Sequence, residues 1–148
     1  MLDTIFGLPV HALVVHGVVV LLPLMAVVTV LVAFVPRLHW ARWWVVAGNV
    51  GVTAMAFVAR QSGEELQARL GGQVAIEHGR IGYTLWYFGL GLVVASVLVA
   101  VAKTPTQSRA FAVLSIVAAA GATLWTIRTG HSGSEAVWGE IVKNTKAP

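Results

Sequence analysis

Residues 10–35 read VHALVVHGVVVLLPLMAVVTVLVAFV, an apolar run that contains no Asp, Glu, Lys or Arg. A helix needs about 20 such residues to cross the hydrocarbon core of a bilayer. The run is too long for the hydrophobic region of a signal peptide, and Asp3 stands where a signal peptide would carry basic residues. It therefore predicts a retained transmembrane helix.

Three further apolar stretches follow the first. Apolar residues make up 57% of the chain and charged residues only 11%, which is far from the composition of soluble domains. We expect a single membrane domain over residues 1–148, in the lipid bilayer, with an all-α fold. The pattern predicts a four-transmembrane-helix bundle whose helices cover residues 10–35, 43–60, 80–102 and 110–129.

The distribution of charge predicts how this bundle is oriented. The connections from helix 1 to helix 2 and from helix 3 to helix 4 contain no acid, but they do contain Arg37, Arg42, Lys103 and Arg109. The positive-inside rule places these connections in the cytoplasm. Both the N-terminus and the C-terminus are therefore expected to be extracytoplasmic.

Residues 62–77, between helices 2 and 3, combine apolar and charged side chains. Leu66, Leu70 and Val74 recur at helical spacing, and charged residues such as Glu64 and Arg69 lie between or beside them. This pattern is typical of a helix that lies in the membrane interface. It predicts a short amphipathic helix on the outer face.

Composition excludes several classes of protein and site. The chain has no cysteine, so thiolate metal sites, iron–sulfur clusters and covalent haem attachment through C-x-x-C-H are excluded. Its basic residues are scattered singly between apolar runs, so we expect no nucleic-acid partner. No nucleophile elbow, phosphate loop or intramembrane carboxylate pair is present. We therefore expect an electron carrier or an accessory subunit rather than a stand-alone enzyme.

Four of the five histidines are predicted to lie at one depth. Measured from the basic residue at the cytoplasmic end of each helix, they lie roughly 32 to 39 Å away, within a layer about 8 Å deep. They belong to helices 1, 3 and 4, which a compact bundle brings within reach of a common ligand. The layer predicts a haem or metal site, although interfacial histidines also bond to loops and headgroups. Its members are His11, His16, His78 and His131.

A b-type haem needs two imidazole ligands and an apolar slot between helices. His16 is the preferred first ligand because it lies inside helix 1, and His78 is the preferred second. His11 lies about 140° around the helix from His16 and would face a different neighbour. Three arginines at outer helix ends are candidate partners of the haem propionates, or alternatively of glutamates and lipid headgroups. They are Arg60, Arg80 and Arg128.

Two alternatives stay open at this point. The histidines could hold copper, zinc or iron without haem, because imidazole binds all three metals. The chain could also be an accessory subunit of a larger membrane complex in which the histidine layer is structural. The spacing of the residues does not decide between these functions, nor whether the chain forms a homo-oligomer.

Motifs at both ends of the chain resemble a known bacterial membrane family, domain of unknown function 2231. Residues 8–16 read LPVHALVVH, with Pro23 beyond them, and are similar to the opening of that family. His78 matches a histidine near the start of its third helix. The GHSG run at residues 130–133 resembles its closing G-H-x-G motif. The similarity covers most of the chain.

The resemblance implies a multi-pass protein of the bacterial plasma membrane with an outward histidine cluster, similar in layout to small b-type cytochromes. The chain departs from the family pattern at Ala12 and Gly17, where many relatives have Pro and a bulky residue. The resemblance therefore supports His16 more strongly than His11. Together with the histidine layer, it leads us to expect a haem b protein that transfers electrons in or beside a respiratory chain.

Overall fold

The computed structural model describes residues 4–5 and 7–145; Asp3 lies outside the described residues. The described part begins with a pair of two-residue antiparallel strands, β1 (Thr4–Ile5) and β2 (Leu8–Pro9). From residue 10 to residue 145 the chain is helical apart from short connections. The helices are α1 (Val10–Phe34), a 3-10 helix (Pro36–Ala41), α2 (Arg42–Arg69), α3 (Ile76–Gly82), α4 (Leu85–Val101) and α5 (Pro105–Asn144). The predicted all-α class is confirmed.

Among the described residues, four stretches are long and apolar enough to cross a membrane, which confirms the predicted number of transmembrane helices. Many of their large apolar side chains point outward, among them Val20, Val117 and Leu124, each about two-thirds exposed. A soluble protein rarely exposes so much contiguous apolar surface, whereas lipid tails cover it without cost. The four stretches are Val10–Phe34, Pro36–Arg69, Ile76–Val101 and Pro105–Asn144.

The long helices form a ring in the order α1, α2, α4, α5, and α5 closes the ring against α1. Lipid tails provide no hydrophobic force between helices, so close packing of small side chains has to hold them together. The core is accordingly rich in alanine and short aliphatic residues. Its buried members are Val18, Leu22, Ala26, Val52, Ala56, Ala59, Leu85, Leu92, Ala119 and Ala122.

The connections define two ends of the bundle. At one end, which we call the basic end, lie the 3-10 helix, the start of α2 and the α4–α5 connection. At the other end, which we call the histidine end, lie the start of α1, the end of α2 and the whole of α3. The middle of α5 also lies at the histidine end. Its last turns extend past that end, because α5 is about 60 Å long and the hydrocarbon core is only about 30 Å thick.

Helix α2 is longer than expected. Residues 62–69 continue it without interruption, instead of belonging to a separate amphipathic helix. It ends where Gly71 and Gly72 adopt positive φ angles of 88° and 76°. Their N–H groups donate to the carbonyls of Ala68 and Gln67, at 3.2 and 2.9 Å, in a Schellman motif. The fall in hydropathy near Arg60 therefore does not mark a helix end.

The bounds of the third and fourth predicted transmembrane helices also differ from those expected. The helix expected at 110–129 runs from Pro105 to Asn144, and its start is capped by Thr104, which exchanges hydrogen bonds with Gln107. The helix expected at 80–102 begins earlier, at Ile76, and is divided into α3 and α4 at Tyr83–Thr84. Backbone hydrogen bonding continues through polar residues, so hydropathy alone underestimates these lengths.

Gly89 allows α4 to approach α2 closely. A Cβ at Gly89 would lie 2.6 Å from Thr53 Oγ1 and 3.2 Å from Thr53 Cβ. Thr53 is held in place because its hydroxyl donates to the Asn49 carbonyl at 2.7 Å. We expect Gly89→Ala to lower the free energy of unfolding by about 1–3 kcal/mol, as overpacking does. Denaturation in detergent, followed by circular dichroism, measures this change.

Gly91→Ala is the matched control, because a Cβ at Gly91 meets no atom within 4 Å. Alanine is the better helix former, so this variant should be as stable as the parent or slightly more stable. Equal unfolding of the two variants would contradict the close α2–α4 approach.

Candidate functional site

His11 lies in the first turn of α1 and packs against the end of α2. Its Nδ1 is 2.8 Å from the Ala59 carbonyl oxygen. A Cβ at Gly63, one turn further along α2, would lie 2.8 Å from His11 Cε1, so the glycine leaves the space that the ring occupies. A carbonyl oxygen only accepts, so Nδ1 donates the proton. In the neutral ring, Nε2 then keeps its lone pair for a ligand.

His78 lies on α3 and packs against α5 in a similar way. Its Nδ1 is 3.2 Å from the Thr129 carbonyl oxygen and 3.2 Å from Ser132 Oγ. The Ser132 hydroxyl also donates to the Thr129 carbonyl, at 2.9 Å. A Cβ at Gly133 would lie 3.1 Å from His78 Cε1. His78 therefore also donates through Nδ1, and its neutral ring keeps Nε2 unprotonated.

Helix α3 is short, so its position depends on tertiary contacts. The Trp125 indole on α5 donates to the Ile81 carbonyl at 3.1 Å and to Thr84 Oγ1 at 2.9 Å, at the break between α3 and α4. Phe88 stacks on the same indole, with ring centroids 4.8 Å apart. On the other side, Gln67 of α2 donates to the Val74 carbonyl just before α3. These bonds hold His78 at the histidine end.

His11 and His78 lie next to each other, and we call them the histidine pair. Their ring centroids are 6.1 Å apart and the ring planes are inclined by 71°. If a metal atom were bound between the two rings, His11 and His78 would hold it through one nitrogen each. Bonds from Nδ1 to main-chain carbonyls are the outer contacts typical of metal-binding histidines, because they set the tautomer and orient the ring.

The other two histidines of the predicted layer do not join the pair. His16 is exposed on α1, and its Nδ1 bonds to the Ala12 carbonyl of its own helix. His131 is exposed on α5. In the part of the chain that the structure describes, no group of three or more His, Cys, Asp or Glu side chains could hold a metal. The arrangement thus offers two protein ligands, from α1 and α3.

The three arginines predicted near propionates all lie at the histidine end. Arg60 pairs with Glu64 at 3.0 Å, and its guanidinium lies 3.6 Å from the centroid of the Tyr83 ring. Arg80 forms two bonds to the Glu77 carboxylate, at 2.7 and 3.0 Å. Arg60 and Arg80 thus pair with nearby glutamates, which was the alternative to propionate pairing that the sequence left open. The third, Arg128, is exposed, with its guanidinium 5.6 Å from the Trp125 ring centroid.

The glycines and carbonyl groups that orient the histidine pair were not predicted from the sequence. Gly63 and Gly133 could have been suspected, because each is a helical glycine close to the predicted histidine layer, and Gly133 belongs to the GHSG run. The carbonyls of Ala59 and Thr129 carry no signal in sequence, since every residue has a carbonyl group. Only packing shows which of them faces an imidazole.

Comparison with known protein families identifies a match over almost the whole chain. A family model described as "Predicted membrane protein (DUF2231)" covers residues 7–146. No curated protein and no solved structure matches the chain.

Proposed function

The chain belongs to the DUF2231 family of predicted membrane proteins, and we propose that it binds one haem b between His11 and His78. The observation that carries the proposal is the histidine pair: two imidazoles 6.1 Å apart, each anchored through Nδ1. The proposal takes His78 from the sequence prediction and takes His11, in place of His16, as the other ligand.

The number of ligands favours haem over a bare ion. A structural zinc ion takes four ligands and a catalytic one three from protein, whereas haem iron needs only two axial ligands. The described residues offer the pair and no third His, Cys, Asp or Glu beside it. Copper, zinc or iron bound without haem is therefore the weaker alternative.

The residues around the histidine pair would orient the ligands and bind the haem propionates. The Ala59 and Thr129 carbonyls accept from Nδ1, which keeps Nε2 unprotonated and raises its basicity. Arg128 is exposed at the same end and could pair with a propionate, and Arg60 and Arg80 could do so by exchanging their glutamate partners. When bound, haem would supply one-electron redox chemistry.

The cellular role follows from the orientation that the charges predict. With the basic end in the cytoplasm, the histidine pair lies at the extracytoplasmic face of a bacterial plasma membrane. An electron carrier placed there would serve partners in or beside a respiratory chain. This role rests on haem binding and on the positive-inside rule together.

A dithionite-reduced minus oxidised absorbance spectrum of the detergent-purified protein tests the proposal, with pyridine haemochrome quantification. We expect a b-type spectrum at one haem per chain, because the described residues provide one histidine pair. Protein that lacks haem after expression in a haem-replete host would overturn the proposal. Elemental analysis of such protein would then distinguish the two alternatives. Bound copper, zinc or iron would indicate a haem-free metal protein, and the absence of metal would indicate an accessory subunit.

A further inference from the structure

A small cavity of about 90 Å³ opens at the basic end, far from the histidine pair. The residues that line it come from α1, the 3-10 helix, and the ends of α2, α4 and α5. Half of them are polar and half are apolar: His39, Arg42, Ser108, Ala33, Val99 and Ala102. Arg42 and Val99 also border a deeper crevice, beside Thr29 and Ser96, that is too narrow for water.

The charges around this cavity all have one sign. The chain has no Asp or Glu from residue 4 to residue 63 or from residue 78 to residue 134, so the segments that form the basic end carry none. Arg42 therefore has no carboxylate to pair with at its own end. Arg37, Lys103 and Arg109 add to the same positive potential. A concave site with this field attracts anions.

The polar lining suits a phosphate group. The Arg42 guanidinium is a planar fork of N–H donors that matches phosphate oxygens, and His39 adds a ring N–H. The Ser108 hydroxyl donates to the Thr104 carbonyl at 3.1 Å and would have to turn from it to donate to a phosphate. A cavity of about 90 Å³ is large enough to accommodate a phosphate group. No acidic group competes for these donors at that end.

The position of the cavity favours a lipid as the source of the phosphate. Trp40, Trp43 and Trp44 lie beside it on the 3-10 helix and α2, and they are 75%, 54% and 74% exposed. Exposed tryptophans of a membrane protein concentrate at the level of the headgroups. We propose that the cavity binds the phosphate of a phospholipid from the leaflet at the basic end. This proposal does not depend on haem binding.

Native mass spectrometry of the delipidated protein in detergent tests this site. The probes are phosphatidylglycerol and, in a separate titration, inorganic phosphate. We expect Arg42→Gln to weaken phosphatidylglycerol binding about tenfold, as the loss of a charge-assisted hydrogen bond does. Arg37→Gln is the control, because it removes the same charge from the same end but does not line the cavity. We expect it to change binding less than twofold.

Each outcome has one meaning. Equal weakening by the two substitutions would overturn the site, because diffuse attraction to the basic end would then explain binding. Inorganic phosphate that binds as tightly as the lipid would overturn the lipid as the source. If Arg42→Gln does not fold, Ala102→Leu fills the cavity without a change of charge and should abolish binding, whereas Ala110→Leu, at an exposed position of α5, should not. Retained binding in Ala102→Leu would also overturn the site.

Discussion

His11→Ala and His78→Ala are each expected to reduce the haem content of the purified protein to less than about a tenth of the parent value. Each substitution removes one of two axial ligands, and the fold contains no nearby His, Cys, Asp or Glu among its described residues to replace it. The truncation also leaves the Ala59 or the Thr129 carbonyl without its donor. Pyridine haemochrome quantification per chain measures the loss.

His16→Ala and His131→Ala are the controls, because both side chains are exposed and stand apart from the pair. They should keep nearly all of the haem. Added imidazole should restore a low-spin spectrum in the ligand variants, which separates a missing ligand from a misfolded bundle. Loss of haem in His16→Ala together with its retention in His11→Ala would reverse the ligand assignment in favour of the sequence-based choice.

Gly63→Ala is expected to weaken haem binding about 10–100-fold, the range seen when the outer contacts of a metal ligand are disturbed. The new methyl group would lie 2.8 Å from Cε1 and 2.9 Å from Nδ1 of His11, so the ring has to move away from the Ala59 carbonyl. Gly133→Ala should have a smaller effect, because the corresponding distances to His78 are 3.1 and 3.2 Å. Haem titration of the apoprotein measures both affinities.

Gly51→Ala on α2 and Gly130→Ala on α5 provide matched controls on the same two helices. Added Cβ atoms at these positions meet nothing within 4 Å, so haem affinity should stay at the parent value. Alanine at each of the four positions favours helix, so a general loss of helix cannot explain a selective loss of haem. If Gly63→Ala binds haem like Gly51→Ala, His11 is not held as a ligand in the way we propose.

The number of membrane helices could be predicted from long apolar stretches such as residues 10–35. In a bilayer every backbone N–H and C=O must be bonded internally, so a long apolar run has almost no alternative to a helix. The helix ends were less readable. Hydropathy falls at Arg60 and Arg128, but α2 continues to Arg69 and α5 to Asn144.

The sequence by itself predicted a common depth for the histidines, because depth along a continuous helix increases by a constant rise per residue. Only the tertiary structure decided which of them meet. His11 and His16 share a helix and a depth range, but they point in different directions, and the rotation of α1 within the ring brings His11 to His78. That rotation depends on how side chains of all four long helices pack together, with glycines such as Gly63 admitting the ring. No local pattern in the chain records it.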